Sequence, residues 1–170
     1  LLKTAQKLLK AHPNARFLIP VNNDKNMNFI NGRIRNNPTK NLKLIEGKVD
    51  EILSSSNIAI AASGTASLQI ALHKKPMIII YKGSWISYFI WKMVSLIPNV
   101  SLPNILLNEN IVPEMLQHRA TPALLSKKTC EIIKDKRYLK KIESKFYKLH
   151  KNLKSNTSSL IFKIIKPYLK

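Results

Sequence analysis

Apolar positions in this chain fall into short, regularly spaced blocks. Leu1, Leu2, Ala5, Leu8 and Leu9 recur at helical spacing over residues 1–11, and the pattern stops before Pro13. The run Phe17-Leu18-Ile19-Pro20-Val21 reads as a strand. Met27, Phe29, Ile30 and Ile34 then predict a helix, capped by Asp24 and closed by Asn36-Asn37-Pro38. The alternation continues with a strand at 42–45 and a helix at 48–55 carrying Val49, Ile52 and Leu53 on one side. A buried strand at 58–62, a helix at 65–73 and another buried strand at 76–81 follow. Strands alternating with short helices at this spacing predict an α/β fold, a Rossmann-like parallel sheet flanked by helices. Ligands are then expected at the carboxyl ends of the strands.

The second half is predicted to be mostly helical. Helix resumes near Ser84, and residues 85–97, with Trp85, Tyr88, Phe89 and Trp91, leave almost no polar face. That stretch is too short to span a bilayer. Burial or an interdomain contact is the favoured reading over contact with lipid, in which Lys82 and Lys92 would lie near the headgroups. A polar turn at Asn108-Glu109-Asn110 precedes a helical reading of 112–117, and Thr121-Pro122 starts a further helix with Thr121 as its cap. From Lys127 onward 14 residues are Lys or Arg, yet Tyr138, Leu139, Ile142, Phe146, Leu149 and Leu153 keep an apolar stripe, so these are packed helices with a charged outer face. A last helix is expected at 159–165, before Pro167. The whole is read as one domain over residues 1–170, with 121–170 a helical extension.

Charge adds a constraint on partners. The 29 Lys+Arg against 9 Asp+Glu give a formal charge of +20, which favours a nucleotide, a phospholipid surface or a nucleic acid. Abundant Lys, Ile and Asn also follow from AT-rich coding, so charge alone assigns nothing. No nucleic-acid-binding module is recognisable, and nucleic acid is not the expected partner. A lone cysteine, Cys130, excludes an internal disulfide framework and fits a reducing compartment. His12, His73, His118 and His150 are scattered without metal-ligand spacing, and no Walker-type loop or GxSxG elbow is present. Neither metal nor cofactor is implied.

The most informative stretch is 58–69, where an apolar run ends in Ser63-Gly64-Thr65 and helix begins at once. Helix N-termini offer unpaired N–H groups and the positive end of a dipole, and Gly64 lets a ligand approach the backbone. Two readings stay open at this level: an anion seat, or an ordinary turn with Ser63 or Thr65 as a plain cap.

Three stretches together resemble the C-terminal half of bacterial lipid-A-disaccharide synthase. They are Ala62-Ser63-Gly64-Thr65-Ala66-Ser67-Leu68-Gln69, then Lys75-Pro76-Met77 leading to Tyr81-Lys82, then Val100-Ser101-Leu102-Pro103-Asn104-Ile105-Leu106 with Glu109, Val112, Glu114, Leu116 and Gln117. The resemblance implies the donor-binding domain of a GT-B glycosyltransferase, without a metal or other cofactor. The implied reaction joins UDP-2,3-diacylglucosamine to 2,3-diacylglucosamine 1-phosphate (lipid X), at the inner face of the cytoplasmic membrane. It implies that Ser63, Gly64 and Thr65 hold the UDP diphosphate. Ser101, Leu102, Pro103 and Asn104 would line the cleft, with Asn104 a hydrogen-bonding candidate, while Glu109, Glu114 and Gln117 order that loop or contact the sugar.

Two positions depart from the family pattern. Gln69 stands where the family usually has Glu, replacing a group that can accept both ribose hydroxyl protons by an amide with one acceptor oxygen. Lys82 after Tyr81 stands where Arg is usual, keeping the charge without the bidentate fork. The resemblance further implies that acceptor binding and the general base belong to an N-terminal domain with no counterpart in this sequence. The family's Gly-Ser-Arg first strand also has none. A partner supplying that half, or a second copy, is therefore expected, and no catalytic residue is assigned within the chain.

Overall fold

In the computed structural model, residues 1–84, 99–154, 161, 162 and 164–168 are described. The apolar stretch 85–97 falls outside them, as does the start of the expected helix at 159–165. The chain runs α1 (Leu2–Ala11), β1 (Phe17–Val21), α2 (Asp24–Arg35), β2 (Leu42–Glu46), α3 (Val49–Ser55), β3 (Ala59–Ala62), α4 (Thr65–Leu72) and β4 (Met77–Tyr81). It continues through α5 (Leu102–Leu107), β5 (Glu114–Leu116), a 3-10 turn (Gln117–Arg119), α6 (Pro122–Lys134) and α7 (Lys136–Leu153).

Among the described residues every strand pairing is parallel, as the βαβ spacing requires. The strands form two sheets, β1-β2 and β3-β4-β5. Phe17 lies opposite Leu42 in the first, and Ala59 opposite Met77 and Ile79 opposite Glu114 in the second. Among the described residues β1 and β3 each keep one edge unpaired.

The second sheet carries the core. Side chains alternate along β4, so Met77 and Ile79 join Ile70, Ala71, Ile142, Phe146 and Leu149 on one face. Ile78 joins Met115, Leu125 and Ile132 on the other. With both faces covered, an unbroken apolar Met-Ile-Ile-Ile run is what β4 needs, and its first three residues are 0% exposed. The predicted stripe of the basic helices is what covers it: Ile142, Phe146 and Leu149 of α7 are buried, while Lys140, Lys141 and Lys148 face outward.

Two local expectations are corrected. Residues 112–117 are not an α-helix: Glu114–Leu116 is a strand beside β4, Gln117 opens the 3-10 turn, and α-helix lies earlier, at Leu102–Leu107. A three-residue strand is too short to display a period of two, so its apolar residues mimicked one helical turn. The cap of α2 is Asn23 rather than Asp24; its side chain accepts from the Asn26 backbone N–H at 2.9 Å. Thr121 caps α6 as expected, accepting from Leu124 N–H.

Candidate functional site at the carboxyl edge of the strands

Because the strands are parallel, the turns that follow them collect at one edge of each sheet. The turn after β3 is the least ordinary. Gly64 is the N-cap of α4 with φ 143° and ψ −163°, a backbone region closed to side-chain-bearing residues. A Cβ placed on it would meet nothing within 4 Å, so glycine is demanded by the torsion alone. Among the described residues no side chain caps α4. The plain-cap reading of Ser63 or Thr65 is therefore not what forms: the Ser63 hydroxyl donates instead to the Val100 carbonyl at 2.5 Å, leaving the helix N-terminus open beside exposed Thr65 and Ala66.

That same bond ties the turn to the loop opening α5. Ser101 is fully buried and its hydroxyl has no partner among the described residues, an unusual state for a buried polar atom. The loop's shape comes from Glu114. Its carboxylate accepts from the Val100 and Ser101 backbone N–H groups at 3.0 and 2.9 Å and from Asn104 Nδ2 at 2.9 Å.

Asn104, 1% exposed, spends its whole amide internally. Oδ1 accepts from the Ile111 and Val112 N–H groups, and Nδ2 donates to Val112 O and Glu114. With both donors and both lone pairs occupied, it holds the loop and has no hydrogen bond left for a ligand. Leu102 and Pro103 form the first turn of α5, with Pro103 buried.

Gln117 clasps the turn after β4. Its Oε1 accepts from Gly83 N–H at 3.0 Å and its Nε2 donates to Gly83 O at 3.2 Å, fixing the segment behind Tyr81 and exposed Lys82. Gln117 does so from a left-handed conformation, φ 46°. A Cβ on Gly83 would sit 2.9 Å from the Tyr81 hydroxyl, so a larger residue there would push the half-exposed tyrosine ring aside. Glu109 is drawn the other way, into an ion pair with Lys145 of α7, and that hydrogen bond holds its carboxyl below the usual range. Burial pushes the Tyr138 phenol up, so it remains a donor to Ile111 O at 2.9 Å.

Gln69 has partners that sequence reading missed. Its Nε2 donates to Asp50 Oδ1 at 3.0 Å, and His73 Nε2 lies 2.9 Å from the same oxygen. Those hydrogen bonds, that of His73 foremost, hold the Asp50 carboxyl below its ordinary value. The signal available in sequence was the four-residue spacing of Gln69 and His73, which puts both on one face of α4. A separate cleft of about 710 Å³ opens beside β5, lined in part by Asn104, Glu114, Arg119, Lys127 and Tyr138; the Ser63-Gly64-Thr65 turn is not part of its wall.

A family model described as lipid-A-disaccharide synthetase matches residues 1–165. The chain belongs to the lipid-A-disaccharide synthase family. Among curated relatives, the lipid-A-disaccharide synthase of Methylobacillus flagellatus is 33% identical across 99% of this chain and 45% of its own length. That of Dechloromonas aromatica is 33% identical across 92% and 42%, and that of Cupriavidus pinatubonensis 31% across 94% and 40%. The chain thus spans less than half the length of these lipid-A-disaccharide synthases.

Proposed function

We propose that this chain is the donor-binding part of a lipid-A-disaccharide synthase, seating UDP-2,3-diacylglucosamine for transfer of its sugar to 2,3-diacylglucosamine 1-phosphate, with UDP released. The observation that carries the reading is the open N-terminus of α4. An uncapped helix start behind a glycine-only torsion, with the buried Ser101 hydroxyl of the adjoining loop left without a partner among the described residues, suits a diphosphate. Fixed N–H dipoles also favour the charge that grows on UDP as the glycosidic bond breaks.

Displacement at an anomeric carbon needs an acceptor hydroxyl and its base opposite the leaving group. In this reading a second Rossmann-like half supplies both, and a further strand lies between β1 and β3. The relatives' greater length supports this division. The basic outer face of α7 is the surface that meets anionic lipid at the membrane.

Two measurements test the proposal. Disaccharide formation is expected to be negligible for the chain alone and to appear when an N-terminal half is added; robust turnover by the chain alone would overturn the division of labour. Titration with UDP is expected to give saturable binding that Gly64→Ala weakens by about tenfold or more. Equal affinity in both proteins would remove the α4 terminus from the site.

A further inference from the structure

Resting on the donor-site reading above, a second inference concerns where the nucleoside sits. Asp50 lies in the first turn of α3, just beyond the carboxyl end of β2, and Gln69 lies in the second turn of α4. Helix rise places Gln69 roughly 6 Å along α4 from Thr65, within the span of a nucleoside whose diphosphate is held at that terminus.

The two side chains are locked together. Asp50 Oδ1 takes both the Gln69 Nε2 hydrogen bond and the contact from His73, so the second carboxylate oxygen has no partner among the described residues, on a side chain 71% exposed. His73 is itself held by a 3.4 Å contact between its Nδ1 and the Ser54 hydroxyl. With its amide N–H₂ turned to Asp50, Gln69 is left with its carbonyl oxygen for anything outside.

A vicinal diol brings two O–H donors and is matched by two acceptors, at least one of them charged. We propose that Asp50 supplies the carboxylate that takes the ribose hydroxyls of the bound uridine nucleotide, with the Gln69 carbonyl oxygen as the second acceptor. The negative charge absent at position 69 is thus carried one helix away. His73 is a positioning residue, fixing the carboxylate from behind.

The test compares UDP with 2′,3′-dideoxy-UDP by titration calorimetry on the full chain and on Asp50→Asn, Asp50→Glu, Gln69→Glu and the double variant Asp50→Asn/Gln69→Glu. Thermal melts establish that each variant is folded. Asp50→Asn is expected to lose about tenfold in UDP affinity while leaving dideoxy-UDP unchanged. Gln69→Glu alone sets two carboxylates side by side and is expected to weaken UDP. The double variant restores one carboxylate beside one amide and regains most of the loss.

Asp50→Glu is expected to keep a preference for UDP over the dideoxy compound. Should Asp50→Asn bind UDP as the parent does, or lose both nucleotides equally, the Asp50 assignment is overturned while the donor site stands. Absence of binding to either nucleotide by the parent chain would overturn the donor-site reading and this assignment together.

Discussion

The two sheets are built from the same βαβ unit, yet they bury very different amounts. In the β3-β4-β5 sheet Met77, Ile78 and Ile79 are fully covered, sandwiched between α4 and α7 on one side and α6 on the other. In the β1-β2 sheet only Val21 is buried, and α2 buries nothing: Phe29 is 64% exposed, with the Arg33 guanidinium 5.3 Å from its ring centroid. α1, which buries Ala5 and Leu8, packs against α6, and α3 joins β1 to the remainder. A turn that must hold an unusual torsion belongs on the well-packed side, where neighbours over-determine it. Gly64 is there, and Asp50 sits at the boundary between the two.

If this contrast governs stability, substitutions should rank accordingly. Phe146→Ala, in the centre of the well-packed sheet, is expected to cost about 3–5 kcal/mol in chemical denaturation. Asn104→Ala takes the shared acceptor from the Ile111 and Val112 N–H groups and a donor from the Val112 carbonyl, while Glu114 keeps its bonds from the Val100 and Ser101 N–H groups; about 2–3 kcal/mol is the expected loss. Gly64→Ala forces a side chain into a glycine-only region and should lower stability by about 1–3 kcal/mol, in addition to its effect on UDP. Phe29→Ser, on the exposed face of α2, is expected to stay within about 0.5 kcal/mol of the parent. A large effect there would show that α2 is covered in solution and erase the contrast.

Acid gives the smallest expected effect. The carboxyls of Asp50 and Glu109 are both held below their ordinary values in the folded chain, by His73 and Gln69 and by Lys145 respectively. A lowered folded-state value means stability that is fully present above the ordinary carboxylate range of about 4 and is lost as pH falls through the folded value. Both groups are solvent-exposed, so the loss is shallow and fades with salt. Lys145→Ala should flatten the Glu109 part of the acid limb of a pH series of melts.

How much of this was legible follows the same divide. Long apolar runs such as 76–81 and the stripe Ile142, Phe146, Leu149 announced the core, because burial on two faces or along one helix stripe writes a period into sequence. The Ser63-Gly64-Thr65 turn was legible because few residues tolerate such a torsion. The short β5 was not, since three residues carry no period and its strand character comes from pairing with β4. Asn104 was a hydrogen-bonding candidate because the family resemblance places 101–104 along the cleft; its amide is spent instead on Ile111, Val112 and Glu114, partners that no local pattern around position 104 announces. Asp50 went unnoticed because its partners Gln69 and His73 come from another helix.

The unpaired edge of β3 has a bearing on handling the protein. Ala59-Ile60-Ala61-Ala62 carries no charge and no proline, the features by which natural edge strands discourage unwanted pairing, whereas β1 at least has Pro20. Such an edge accepts any extended apolar segment that reaches it, including β3 of a neighbouring molecule. Concentrated samples are therefore expected to self-associate below their melting temperature, and a lysine placed at Ala61 or a short β-strand peptide added in excess should restore a monodisperse light-scattering profile.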